Sequence, residues 1–154
     1  MLIDEKMFNH NILFFKQEVP NRVEALNILA DRLLKNDIVT DSILDAILRR
    51  EQQYPTGLQL NNGMGVAIPH TDANKVKHNQ IGFMSLKHPV IFRQMGSDSE
   101  EVSVNMIFIL CLKSSHNQLE LLQKLMALFN DSNFISLLDN CTDQSSFFKL
   151  IESS

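Results

Sequence analysis

The sequence predicts one domain of the α/β or α+β class. The chain has 154 residues, close to the ~150 of an ordinary domain. Its 44% hydrophobic and 21% charged content suits a globular fold and excludes a disordered or low-complexity chain. Its apolar period switches repeatedly between helix-like and strand-like spacing. A chain of this length buries about 68–70% of its unfolded surface, so its core needs neither disulfides nor a metal.

The first helix follows Pro20. Asn21 and Glu24 form an Asn-x-x-Glu relative of the capping box, and Val23, Leu26, Leu29, Ala30 and Leu33 share one face. A second helix starts near Thr40 or Asp41, with Ile43, Leu44, Ile47 and Leu48 apolar. It ends before Tyr54-Pro55, because the residue before proline avoids helical backbone angles. Leu58–Leu60 and Gly65–Ile68 read as a hairpin around Asn61-Asn62-Gly63, residues that tolerate positive φ. Ile81–Leu86 alternates as a half-buried strand does, and Val90–Phe92 is a further short strand. Gly96–Glu101 is a polar, acidic loop. Val102–Leu112 is the strongest strand; its second half is apolar on both faces, which places it centrally in the sheet. Ser115 and Gln118 make a capping box for a helix whose core stripe is Leu119, Leu122, Leu125, Met126 and Phe129. Two shorter helices follow at Ser132–Leu138 and Asp143–Glu152.

Charge and composition exclude several functions. A net charge of −4 lacks the basic excess of a duplex nucleic-acid binder. The longest apolar run, Met106–Leu112, has seven residues, against the ~20 of a membrane helix. Met1–Lys16 mixes acidic and basic residues and contains no signal-peptide core, so a cytoplasmic location is expected. Cys111 and Cys141 form no C-x-x-C pair, and Cys111, inside an apolar run, is expected to be a buried thiol.

Two histidines stand out by position. His70 directly follows Gly65-Val66-Ala67-Ile68-Pro69, and Pro69, which has no N–H, is expected to end the sheet ladder there. A side chain just past a strand end lies at the rim where α/β proteins collect ligands; otherwise His70 is a loop histidine without a task. His116 occupies the first turn of the helix after the central strand, where free N–H groups favour an anion; otherwise it is a solvated helix-start residue. If the strands ending at Ile68 and Leu112 run parallel, both rings emerge at one rim. A phosphoryl group then suits the pair, one ring as nucleophile and the other as hydrogen-bond donor. His78 and His88 have no partner at ligand spacing, and His70, Asp72 and His78 match no known zinc spacing. No P-loop, G-x-S-x-G or dinucleotide loop is present.

Arg50-Glu51-Gln52-Gln53-Tyr54-Pro55-Thr56-Gly57 followed by Gly65-Val66-Ala67-Ile68-Pro69-His70 resembles the IIA component of the bacterial sugar phosphotransferase system. The resemblance is to the fructose/mannitol superfamily, the type 2 IIA domains. It treats residues 1–154 as a single domain with its core from about Phe14 to Ile151. Arg93 to Leu112, with its acidic loop and long apolar strand, looks most like the galactitol-type branch.

The resemblance implies an α/β fold, a mixed β-sheet flanked by helices, and a phosphocarrier activity. Phospho-HPr donates a phosphoryl group to His70, and His70 passes it to a cysteine of a cognate IIB protein or domain. The IIC membrane permease then uses it during sugar uptake. No metal or organic cofactor and no nucleic acid is implied. An imidazole must be neutral to attack, and the ordinary histidine pKa of ~6.5 makes neutrality the majority state at pH 7. The second ring nitrogen is expected to donate to a backbone carbonyl. By resemblance Arg50 stabilises the phosphoryl group, although the Gly57–Gly65 segment is longer than in mannitol-type members. His116 matches a second family histidine ahead of Leu119-Glu120-Leu121-Leu122. Galactitol-type relatives can carry glutamine there, which implies a supporting hydrogen bond and not an obligatory proton carrier. Thr56 and Thr71 are weaker candidates for lining the site. Met64 and Met95 either join a transient partner surface or fill local gaps. Two alternatives stay open: a regulatory IIA-like domain whose phosphorylation controls a partner protein, and a binding module without phosphotransfer.

Overall fold

The computed structural model describes residues 2–154, and the side chains of all of these except Asn9, His10 and Ser115. In chain order the elements are β1 (Phe8–Gln17), α1 (Arg22–Lys35), α2 (Leu44–Gln53), β2 (Gly57–Gln59), β3 (Gly65–Ala67), β4 (Gln80–Arg93), β5 (Glu101–Cys111), α3 (Ser115–Phe129), α4 (Ser132–Asp139) and α5 (Gln144–Ser153).

The strands form one five-stranded sheet in the order β1-β4-β5-β3-β2. β1 pairs parallel with β4 and β3 parallel with β5, while β4–β5 and β2–β3 are antiparallel. The sheet is thus mixed and flanked by helices, as expected. β5 lies at its centre, and its apolar run explains why. From Met106 onward its residues alternate between two cores: Ile107, Ile109 and Cys111 join the layer of α1 and α2, and Met106, Phe108, Leu110 and Leu112 join the layer of α3, α4 and α5. In the second layer Phe83 meets Phe108 and Phe147 with ring centroids 5.2 and 4.9 Å apart.

Several local expectations are corrected. Asn21 caps α1 by accepting from the Glu24 N–H at 3.0 Å, but Val23 is 41% exposed and Ala25 takes its place on the buried face. α2 begins at Leu44 and not at Thr40 or Asp41: Val39 bridges Val76, the Thr40 N–H donates to the Lys75 carbonyl at 2.9 Å, and the chain bends at Thr40 and Asp41 before the helix. Ile81–Leu86 and Val90–Phe92 are one strand, β4, irregular between Ser85 and Val90. The α3 cap is Ser114, whose hydroxyl accepts from the Asn117 N–H; the capping box assigned to Ser115 lies outside the described side chains. α3 buries Leu121, Leu125, Leu128 and Phe129, and leaves Leu119 and Met126 59% and 41% exposed. β1 has no counterpart among the expected strands.

Candidate functional site

Ile68, Pro69 and His70 continue from β3 along β5. The expectation that the ladder ends at Pro69 is corrected. Proline lacks the donor but keeps its acceptor, so the Leu110 N–H donates to the Pro69 carbonyl at 2.8 Å. The Thr71 N–H returns a bond to the Leu110 carbonyl at 3.0 Å. His70 is therefore held in a parallel bridge to Leu110, at the C-terminal rim of the sheet.

The half-buried ring is fixed by its own chain. Nδ1 lies 2.5 Å from the Ile68 carbonyl oxygen. A carbonyl only accepts, so Nδ1 carries the hydrogen and Nε2 keeps the lone pair. Burial pushes the His70 pKa below its ordinary value; the Ile68 bond opposes this, and the Arg50 guanidinium adds to the lowering. The ring at neutral pH is an uncharged imidazole with a defined nucleophilic nitrogen.

Arg50 lies in the last turn of α2, where a cation suits the helix dipole. Its Nη1 donates to Asp72 Oδ1 at 3.0 Å. Arg49, Arg50, Gln53, Tyr54 and Asp72 line an open cleft of about 310 Å³. Asp72 also lines the crevice beside it, together with His70, Thr71 and Lys75. Arg50 thus reaches Asp72, two residues from His70, and does not itself line the His70 crevice.

His116 lies in the first turn of α3 and is exposed. Because β3 and β5 run parallel, it emerges at the same rim as His70. It has no hydrogen-bond or ion-pair partner among the described residues, so the structure joins the two histidines by topology and not by contact. His78 and His88 are exposed; their charges act on Asp37 and Glu18. Thr56 and Thr71 are both buried. Thr56 bonds to Glu51, and the Thr71 hydroxyl lies 3.5 Å from Cys111 Sγ. Burial pushes the Cys111 thiol up to about 11. Met64 is half-buried against the core of α3–α5, whereas Met95 is exposed beside Tyr54 and Pro55.

Two residues have roles that sequence reasoning missed. Glu51 is a buried carboxylate that accepts from the Thr56 N–H at 3.0 Å and from its hydroxyl. It falls four residues after the buried Ile47, and an acid on the apolar face of a helix signals a partner. Asp72, the partner of Arg50, lies in a loop with no periodic signature. Two glycines of the motif are fixed by close approach. A Cβ on Gly57 would lie 2.5 Å from the Arg93 carbonyl oxygen, and one on Gly65 would lie 2.1 Å from that of Ser103.

Residues 6–154 match the family described as phosphoenolpyruvate-dependent sugar phosphotransferase system, EIIA 2. The galactitol-specific EIIA component of the phosphotransferase system of Escherichia coli (strain K12) is 28% identical over 118 residues, 77% of either chain. Nitrogen regulatory protein IIA-Ntr from Neisseria meningitidis superimposes with a TM-score of 0.74 at 21% identity, covering 95% of this chain and 97% of the other. The structure of the complex of enzyme IIAMTL and phosphorylated enzyme IIBMTL from Escherichia coli gives 0.73 at 18% identity, covering 96% and 98%. At these identities the two structures speak for the fold alone.

Proposed function

The chain belongs to the EIIA 2 family of the phosphoenolpyruvate-dependent sugar phosphotransferase system, and we propose that it is a phosphocarrier with His70 as its transient phosphorylation site. The observation that carries this reading is the Nδ1–H bond to Ile68, which leaves Nε2 with its lone pair at the rim. Phospho-HPr is the donor: its N–P bond breaks as the Nε2–P bond forms, and the donor nitrogen keeps the electron pair. A cysteine thiolate of a cognate IIB then takes the group and His70 returns to its neutral state. The IIB of mannitol enzymes, solved with its IIA, supports a IIB partner here, and the galactitol-specific relative supports a galactitol-type sugar carried by IIC. No helix among the described residues is long and apolar enough to cross a membrane, and we place the carrier on the cytoplasmic side with HPr.

Phosphoryl transfer spreads charge over three equatorial oxygens and is catalysed by positioning and electrostatics. Arg50 supplies the positive charge and His116 a supporting hydrogen bond from the helix start. The bond to the Ile68 carbonyl restrains both the tautomer and the rotation of the ring before attack. Incubation with phosphoenolpyruvate, enzyme I and HPr, read by intact mass, tests this. Wild type gains an acid-labile phosphate and His70→Ala does not. Folded wild type that stays unmodified with a cognate HPr sinks the relay. Transfer onward to a IIB cysteine separates a transport component from a regulatory domain.

A further inference from the structure

We propose that Asp72 is a positioning residue that holds the Arg50 guanidinium beside the unmodified His70 and then competes with the phosphoryl group for it. This rests on the reading of His70 as phosphoryl acceptor. The consequence is a phosphorylated state that is easily discharged.

The Arg50 side chain makes one polar contact, Nη1 to Asp72 Oδ1 at 3.0 Å, and no other hydrogen bond among the described residues. Its charge is felt at His70, where it lowers the pKa. Asp72 follows His70 by two residues, so its backbone lies within ~7 Å of the nucleophile's. It is also the acid common to the Arg50 cleft and the His70 crevice.

The two side chains are 40% and 46% exposed. An exposed ion pair biases an equilibrium by at most about fivefold, so this one holds Arg50 without locking it. A phosphoryl group on Nε2 brings ~1.5–2 negative charges and three strong acceptors, and a guanidinium pairs with such a group bidentately. Arg50 therefore exchanges partner when the Nε2–P bond forms. The Asp72 carboxylate is left without its counter-charge, and it draws the guanidinium back as the group departs. A carrier that bound its cargo with an uncontested arginine would release it more slowly.

The test equilibrates the protein with HPr and phospho-HPr at a fixed ratio and reads the phosphorylated fraction by intact mass. Wild type, Asp72→Asn, Arg50→Gln and the double variant are compared, each after its thermal midpoint shows that it is folded. Asp72→Asn is expected to raise the ratio of phosphorylated to free His70 by roughly two- to fivefold, and to slow return of the group to HPr. In the Arg50→Gln background the same substitution is expected to have no effect, because Asp72 acts through Arg50. A ratio in Asp72→Asn equal to or below that of wild type overturns the competition. An undiminished rise in the double variant overturns the route through Arg50. Absence of any phosphate on wild type overturns the His70 reading itself, a result distinct from both.

Discussion

The Glu51 carboxylate takes both the backbone N–H and the hydroxyl of Thr56, across the end of α2. The bonding continues toward the site: the Ile68 N–H donates to the Thr56 carbonyl at 3.3 Å, and the Ile68 carbonyl receives His70 Nδ1–H. A buried acid in the Arg-Glu-x3-Pro-Thr-Gly motif thereby fixes the strand that orients the His70 ring. Burial raises its pKa, and the Thr56 bonds offset part of that.

Glu51→Ala is expected to destabilise the fold by about 1–3 kcal/mol for each donor it orphans, read by urea denaturation. Glu51→Gln keeps an acceptor and should lose less. Equal stability of wild type and Glu51→Ala would show that water replaces the carboxylate.

The titration of His70 offers a second check. Its folded pKa lies below the ordinary ~6.5. As pH falls through ~6.5 the unfolded chain binds its proton first. Stability is therefore full above that value and declines as pH drops toward the folded pKa. NMR titration of the ring should give a midpoint below 6.5, and Arg50→Gln should move it upward. An unmoved midpoint would remove Arg50 from the field at His70.

His116→Ala is expected to leave stability within about 0.5 kcal/mol, since the side chain is exposed and unbonded among the described residues. It should slow phosphorylation of His70 without abolishing it. An unchanged rate in stopped-flow transfer from phospho-HPr would leave His116 as a solvated helix-start residue.

Gly65 and Gly63 should respond differently to alanine. At Gly65 the new Cβ meets the Ser103 carbonyl oxygen, so β3 must part from β5, at a cost of about 3 kcal/mol or more. At Gly63, with φ at +87° and nothing within 4 Å, only the backbone penalty of about 1–2 kcal/mol applies. Thermal denaturation that ranks them in the opposite order would contradict the observed register.

Much of this fold was legible where the local chemistry is strong. Asn21 and Pro55 bound two helices, Asn61-Asn62-Gly63 turns a hairpin, and the apolar run after Met106 marks the central strand. β1 escaped because shifts after Phe8 and Phe14 break its period and its partner β4 lies far along the chain. β4 looked like two strands because of Lys87-His88-Pro89, but Pro89 falls in the irregular stretch between Ser85 and Val90, where a missing donor costs little. α3 carries leucines on more than one face, so periodicity does not choose between the Leu119 and Leu121 stripes; packing against β5 does. At the site, His70 is marked by its strand and proline, and Arg50 by its motif. The Arg50–Asp72 pair depends on how a loop closes in space, which no spacing encodes.

One feature beneath the site bears on how the chain treats its own cysteines. Cys111 touches the Thr71 hydroxyl, one residue from His70, the proposed phosphoryl acceptor, and burial pushes its thiol up to about 11, so that it is protonated at neutral pH. A protonated thiol is a poor nucleophile, and the side chain is closed off from solvent. If His70 carries a phosphoryl group as proposed, the molecule is thus insulated against a short circuit: a buried, protonated Cys111 does not intercept a group bound for an external thiolate.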